Sequence, residues 1–149
     1  MQVKKKEVWK PIHIEEVAGL YEVSSHGRIK SLPKSKHTPY GTTYLSLEKI
    51  MKQSSTNNKY LNVTLSNKPY NVSHFVHILV ATLFCDNPKG YEFVNHEDGN
   101  KQNNYYENLK WCDRSYNMLH AFRTGLIPNT RKKRSPDKNP GRLPKLTCL

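Results

Sequence analysis

The chain has few cysteines and no long apolar run, and both absences exclude whole classes of protein. Three of its 149 residues are cysteine, and Cys85, Cys112 and Cys148 stand far apart without a CxxC pair. We therefore expect neither a zinc knuckle nor a disulfide framework. We expect a reducing, intracellular setting. No apolar stretch is long enough to span a membrane, and the charged start MQVKKKEVWK does not resemble a signal peptide.

Acidic residues are also scarce, since 12 Asp and Glu stand against 24 Lys and Arg, giving a net charge of +12. Such a surface favours a polyanion, and nucleic acid is the usual one, with an anionic membrane as the competing partner. Residues 126–149 contain seven basic residues and one acidic residue, whereas residues 75–125 contain five and six. This distribution indicates basic arms that hold a phosphate backbone around a near-neutral centre, although arms that only keep the protein soluble remain the alternative.

The pattern of apolar residues predicts an α+β fold that begins with β-hairpins. YEVS (21–24) and RIKSL (28–32) alternate with period two around Gly27, with Trp9 and Tyr21 as apolar anchors. YLNVTLS (60–66) and YNVSH (70–74) form a second predicted hairpin around the Lys68-Pro69 turn. The segment between them, 34–58, is rich in turn-forming residues, and we expect a loop with at most one short element near 44–51.

The second half predicts a helix, then a strand, a loop, a strand and a helix. FVHILVATLF (75–84) has helical spacing, YEFVNHED and LKWCD (109–113) are the strands, and Asp113 or Ser115 is the expected cap of a helix that ends at Gly125. The expected core of this part is Phe93, Val94, Leu109, Trp111, Leu119 and Phe122. The predicted units are a β module (1–36), a loop and hairpin (37–74), a strand–helix region (75–125) and a basic extended tail (126–149).

The stretch from Val94 to Asn117 contains His96 among several asparagines, which a packed core would not select. A neutral histidine accepts a proton near pH 7. Neighbouring strand residues face opposite ways, so Asn95 and His96 share one site only at a strand end or bulge. If Asn117 turns back toward Asn95, two amide oxygens with waters and phosphate oxygens would suit Mg²⁺ or Mn²⁺.

Several residues in this region also have plain structural interpretations. Asn100, Asn103 and Asn104 are typical turn formers, and Asn108 is a candidate cap or loop brace. His77 lies on an apolar helix, where a histidine is more often a core residue than a ligand, and it is left out of the predicted site.

The ordered motifs resemble those of phage-type HNH homing endonucleases. VHILVATLF is similar to the VHRLVA-type helix of that family, NHEDGNKQNNYYENLKW to its (N/D)HxDGNxxNNxxxNLxW core, and SYNMLHA to its SxNMxHA helix. The upstream EVWKPIHIEEVAGLYEVSSHGRIKSL resembles the family's N-terminal strand module. Together these segments span about residues 7–125, with only the loop at 34–58 unmatched, and such an ordered set is far more specific than a lone His–Asn–Asn pattern.

The resemblance implies a C-terminal ββα-metal (HNH) finger that takes one divalent ion, Mg²⁺ or Mn²⁺. His96 then matches the general base, Asn108 the central asparagine that orients it, and Asn95 and Asn117 the metal ligands. The expected function is hydrolysis of a phosphodiester bond in double-stranded DNA by a monomer without a protein partner. The alternative is a non-catalytic DNA-binding protein, or an inactive remnant of a mobile element, with the same fold.

Basic residues on both sides of this centre are the predicted contacts to DNA. They comprise Lys30 and Lys34 in the strand module, Arg114 and Arg123 on the last helix, and Arg131, Lys132, Lys133 and Arg134 in the tail.

Overall fold

The computed structural model describes residues 5–125 and confirms the α+β class. Its strands and helices are β1 Trp9–Pro11, β2 Tyr21–Ser24, β3 Ile29–Ser31, β4 Ser35–His37, β5 Thr43–Leu45, β6 Lys49–Ile50, β7 Ser54–Ser55, β8 Leu61–Asn67, β9 Tyr70–Phe75, α1 Val76–Phe84, β10 Phe93–His96, β11 Leu109–Cys112 and α2 Arg114–Arg123. Two short 3₁₀ turns lie at Glu15–Val17 and Tyr106–Asn108.

The N-terminal strands form one antiparallel sheet in the order β1-β2-β3-β6. The predicted hairpin is confirmed, since Tyr21 pairs with Ser31 and the chain turns at Gly27 with a φ of 83°. Glycine reaches this left-handed region at little cost, which makes the turn possible. The last strand, β6, pairs with β3, so the sheet crosses the boundary that the sequence predicts at residue 36.

The expectation of a loop over 34–58 is wrong, because four short strands lie within that segment. β4 pairs with β5 in a two-stranded ribbon, β6 joins the first sheet, and β7 joins β8. Each strand is two or three residues long and exposed. An exposed strand needs no alternation of apolar and polar residues, so its sequence lacks the usual strand signal.

Helix α1 lies at the centre of the hydrophobic core. Val76, Val80 and Ala81 are fully buried, and the helix contacts strands of the N-terminal sheet, the β8–β9 hairpin and the β10–β11 pair. Full burial of a valine or leucine side chain contributes about 1.5–3 kcal/mol. Through these contacts, the N-terminal sheet, the β8–β9 hairpin and the β10–β11 pair all pack against α1.

The predicted strand–loop–strand–helix unit is confirmed at residues 93–125. β10 and β11 are antiparallel, and the indole Nε1 of Trp111 donates to the carbonyl oxygen of Ala81 at 3.2 Å, which ties β11 to α1. Asp113 caps α2, since its carboxylate accepts from the Tyr116 backbone N–H at 2.7 Å. Gly125 follows the helix with a φ of 70°, as expected of a C-terminal cap.

Half of the expected core of this unit is exposed. Val94 and Leu109 are buried and Trp111 is partly buried, but Phe93, Leu119 and Phe122 are 41%, 47% and 44% exposed. The periodicity groups Leu119 and Phe122 on one side of α2, yet no described element buries that side. No α2 residue is buried.

Within residues 5–125, no helix combines the length and apolar character that crossing a bilayer requires. The basic tail, with Arg131, Lys132, Lys133 and Arg134, lies outside the described residues.

Candidate active site

His96 is the last residue of β10 and lies at a cleft of about 390 Å³. Its ring is 4% exposed, and Asn95 beside it is also buried. Asn95, His96 and Asn117 all line the cleft, Asn117 from the second turn of α2. The structure thus brings the two predicted metal ligands and the predicted general base to one cavity at a strand end.

Asn104 holds the His96 ring. Its Oδ1 lies 3.0 Å from His96 Nε2, and Asn104 is only 3% exposed. An amide oxygen accepts, so the imidazole proton is on Nε2 and the lone pair is on Nδ1. Asn100 and Asn103 make the expected turns, but the interpretation of Asn104 as a turn former is wrong, because its side chain points into the protein at the histidine.

Burial lowers the pKa of His96, and the hydrogen bond to Asn104 offsets part of this effect. Burial disfavours the charged imidazolium, whereas an amide oxygen on Nε2–H favours it. The ring is consequently neutral at pH 7 and able to accept a proton.

Asn108 braces the loop between the two strands. Its Oδ1 accepts from the Asp98 backbone N–H at 3.0 Å, and its Nδ2 donates to the Asp98 carboxylate and to the Asn103 carbonyl, both at 2.9 Å. Burial alone would raise the pKa of Asp98, but hydrogen bonds from Asn103 and Asn108 lower it. The loop next to His96 is therefore closed by side-chain amides around a charged carboxylate.

Asn95 and Asn117 fit a hard divalent cation. Neither side chain forms a hydrogen bond with another described residue, and the buried Asn95 Nδ2 lacks a partner. That nitrogen is an N–H donor, so the partner it lacks is an acceptor such as water or a phosphate oxygen, whereas the Asn95 Oδ1 is the atom that would ligate a cation. Residues 5–125 contain no group of three His, Cys, Asp or Glu side chains arranged for a metal. Two neutral amide oxygens are ligands that a hard divalent cation takes, and they would bind it weakly in the absence of substrate.

His77 and Tyr60 pack against the His96 ring. The His77 ring centroid lies 5.2 Å from that of His96 and 4.9 Å from that of Tyr60. Burial, with the charge of His96 as a smaller cause, lowers the pKa of His77 to about 4, and its Nδ1 has no partner. The interpretation of His77 as a core histidine is supported, but the sequence did not indicate that it supports His96. Tyr60 lies just before β8, far from His96 in the sequence, and no local signal marks it.

Two family models match the chain, the NUMOD4 motif over residues 7–66 and the HNH endonuclease model over residues 74–119. The second match contains the whole cleft triad of Asn95, His96 and Asn117. The chain therefore contains an HNH endonuclease domain.

Relatives and a solved structure agree with this HNH domain. The chain is 34% identical over 132 residues to the uncharacterized HNH endonuclease L247 of Acanthamoeba polyphaga mimivirus, covering 87% of this chain and 29% of the relative. It is 30% identical over 122 residues to the DNA endonuclease I-HmuI of Bacillus phage SP01, covering 80% and 60%. A solved structure of the HNH homing endonuclease I-HmuI, described by its DNA binding and cleavage, matches with a TM-score of 0.61 at 28% identity, with the same 80% and 60% coverage. The chain spans less than two thirds of either relative's length.

The NUMOD4 segment is packed directly on the loop of the HNH domain. The backbone N–H of Tyr106, in the connection between β10 and β11, donates to the Ser25 carbonyl at 3.0 Å. A Cβ added at Gly27 would lie 2.7 Å from the Asn104 Cβ. The partner of His96 is therefore held from outside the HNH domain.

The predicted DNA-contacting residues differ in their surroundings. Arg114 lines the cleft, and Arg123 is exposed at the end of α2. Lys30 forms ion pairs with Glu22 at 2.8 Å and Glu48 at 3.4 Å, and Lys34 donates to the Tyr21 hydroxyl at 2.7 Å. All four remain predictions, and Lys30 and Lys34 are the two whose ammonium groups already have partners.

Lys101 is a basic residue of the site that the sequence interpretation missed. It lines the cleft, and its Nζ lies 4.6 Å from the centre of the Tyr60 ring. Its position in the sequence could have indicated this, because Lys101 is the basic residue in the loop that follows His96.

Proposed function

We propose that the protein is a divalent-metal-dependent DNA endonuclease of the homing type in which His96 is the general base. The observation that supports this most is the buried His96, held at Nε2 by Asn104 at 3.0 Å in a cleft that Asn95 and Asn117 also line. The relative I-HmuI, described by its DNA binding and cleavage, supports duplex DNA as the substrate.

His96 performs the proton transfer. Its Nε2 is hydrogen-bonded to Asn104, so the lone pair available to a water molecule is on Nδ1. The neutral ring accepts the water proton as the oxygen approaches phosphorus, and general-base catalysis of this kind contributes about 10²–10⁴-fold in rate. The imidazolium that forms is favoured by the same Asn104 oxygen.

Asn95 and Asn117 hold the cation, and Asn108 keeps the loop in the shape that places His96 beside it. A bound Mg²⁺ or Mn²⁺ neutralises charge on the phosphate and stabilises the leaving oxygen. Because both ligands are neutral, the substrate phosphate completes the site, so we expect metal and DNA to bind with positive cooperativity. The protein acts as a monomer in this proposal, and its surface charge of +12 attracts the duplex.

Incubation with supercoiled plasmid, in Mg²⁺ and in EDTA, tests the proposal. The expected result is cleavage in Mg²⁺ alone, and a loss of at least about 100-fold in His96→Ala with DNA affinity largely kept. His13→Ala, which removes an exposed histidine outside the cleft, is the matched control. If His96→Ala cuts at the normal rate, the assignment of the base is wrong. If the wild type binds DNA and never cuts it, the protein is a non-catalytic binder.

A further inference from the structure

A second concavity, which we name the amide groove, opens beside the active-site cleft. It lies between the turn at 57–59, ahead of β8, and the turn at 99–102, which follows β10, and its volume is about 730 Å³. Gly99 and Lys101 line both the groove and the cleft. The groove is therefore a continuation of the active-site surface.

The residues that line the amide groove include no carboxylate. Lys59 and Lys101 provide positive charge, and the rest are asparagine, glutamine and glycine, whose amide groups donate hydrogen bonds. Among the described residues, the active-site cleft also has no carboxylate in its lining, but two other concavities do. The one beside β11 includes Asp86 and Asp113, and the one beside the β8–β9 turn includes Glu16. Ammonium and amide donors without acids suit an anion with several oxygens.

The two lysines are free to bind such an anion. Over residues 5–125 neither forms an ion pair, in contrast to Lys30, which contacts two glutamates. Lys101 is partly buried, with its Nζ over the Tyr60 ring, so its charge is held at the junction of groove and cleft. Lys59 is exposed at the opposite wall.

Lys59 has an unusual backbone conformation for its side chain. Its φ is 65°, the one positive value among the non-glycine residues that the structure describes. The turn is fixed by Thr56, whose N–H donates to the Tyr60 carbonyl at 2.9 Å and whose carbonyl accepts from the Lys59 N–H at 2.8 Å. Glycine or asparagine adopts this region more easily than lysine. The strain of a lysine in this conformation indicates that its side chain serves binding and not the stability of the turn.

We propose that the amide groove binds the phosphodiester backbone of the cleaved DNA strand next to the scissile phosphate. Lys101 contacts the phosphate nearest to His96, and Lys59 contacts one further along the strand. The contacts are to phosphate oxygens and not to bases, so they position the strand without reading its sequence. The inference rests on the proposed endonuclease function, since it assumes that the scissile phosphate occupies the cleft.

Binding of a labelled DNA duplex to the full chain, followed by fluorescence anisotropy over a salt series in EDTA, tests the groove without cleavage. The variants are Lys59→Asn, Lys101→Gln and the double variant. Lys89→Gln, which removes an exposed lysine at the concavity beside β11, is the matched control. Each groove variant should bind several-fold more weakly, with a slope of log K against log salt that is shallower by about 0.9 for each lost contact. The control should keep both values.

Thermal unfolding separates binding from folding at Lys59. Asparagine suits a φ of 65°, so Lys59→Asn should keep or raise the melting temperature while it weakens DNA binding, and Lys59→Arg should keep the affinity. A drop in melting temperature without a change in the salt slope would make Lys59 a structural residue and overturn its place in the groove.

Two further measurements distinguish DNA binding in the groove from the binding of free phosphate, and the groove proposal from the proposed function. Inorganic phosphate, titrated against the DNA complex at constant ionic strength, should displace DNA no better than chloride does. Saturable displacement from the wild type but not from the double variant would indicate a site for free phosphate. Plasmid cleavage by the wild type is measured in parallel. If the wild type cuts and the double variant binds with unchanged affinity and slope, the groove proposal fails alone. If the wild type binds without cutting, the proposed function fails, and the groove is judged on the binding data.

Discussion

Gly27 and Asn104 are in such close contact that a Cβ at position 27 would lie 2.7 Å from the Asn104 Cβ. Gly27 belongs to the turn between β2 and β3, and Asn104 accepts the hydrogen bond of His96. A turn of the N-terminal sheet is therefore packed directly against the residue that orients the proposed base.

Gly27→Ala should reduce cleavage by more than its effect on folding. The alanine meets both an unfavourable φ of 83° and the Asn104 contact, and we expect a loss of about 1–3 kcal/mol in the free energy of unfolding. Gly19→Ala is the control, since Gly19 has a φ of 72° with nothing within 4 Å and so tests the backbone effect alone. Cleavage rates are compared at a temperature where both variants are folded. Equal cleavage rates in the two variants would show that the contact between Gly27 and Asn104 does not affect catalysis by His96.

Replacement of Asn104 should change the pH dependence of cleavage. Burial lowers the pKa of His96 from its ordinary 6.5, so the wild-type rate should rise with pH through a midpoint below 6.5 and then level off. In Asn104→Asp the acceptor oxygen stays and a negative charge is added. That charge favours the imidazolium, raises the pKa of His96 and moves the rise in rate to higher pH.

In Asn104→Ala the orienting hydrogen bond is lost, so the plateau rate should fall, and the pKa of His96 should fall with it. Rate profiles of the three proteins under single-turnover conditions measure both quantities. Identical profiles would contradict a role for Asn104 in holding the base.

Charge at the proposed metal ligands should control the metal requirement. Asn95→Asp replaces a neutral amide oxygen with a carboxylate, so half-maximal cleavage should need less Mg²⁺ than in the wild type. Asn117→Ala removes one ligand, so more Mg²⁺ or Mn²⁺ should be needed, and high concentrations should restore part of the rate. Metal titrations of cleavage measure both shifts. An unchanged metal dependence in Asn117→Ala would exclude that residue as a ligand.

Stability should fall in mild acid because His77 is buried in its neutral form. Its pKa is lowered to about 4 from an ordinary 6.5, so between these values the unfolded chain takes up a proton that the folded chain does not. The contribution is fully present above pH 6.5 and is lost as the pH falls toward 4, by up to about 3 kcal/mol.

Urea unfolding across this pH range measures the slope, and His77→Gln should flatten it. His96 has a pKa shift of the same sign, so His96→Ala is measured alongside to separate the two rings. A slope that is unchanged in His77→Gln would assign the acid sensitivity to another group.

The sequence predicted the parts of the fold and site that depend on neighbouring residues. Alternation and helical spacing predicted the β2–β3 hairpin and α1, and the resemblance of the polar motif to the HNH family implied that Asn95, His96 and Asn117 share one site. Each of these signals lies within a short stretch of chain, where strand and helix geometry convert spacing into position.

The parts that failed depend on what packs against a residue. Asn104 is a residue type typical of turns, and the sequence does not reveal that it lies against Gly27 of a distant hairpin with its side chain bonded to His96. Leu119 and Phe122 share a helical face, but periodicity does not reveal whether another element covers that face. The short strands over 34–58 are held by pairing with distant strands and have no local pattern of their own.

Helix α2 has no buried residue and still supplies Asn117 to the site. Asn95 lies on β10, so a cation held by both amides, as proposed, would link a buried strand to a helix without a buried residue. By mass action, binding of that ion stabilises the docked helix in proportion to ion concentration. Amide hydrogen exchange in α2 should then slow on addition of Mg²⁺ and DNA more than exchange in α1 does, so the enzyme would complete its own architecture only in the presence of the molecule that it cuts.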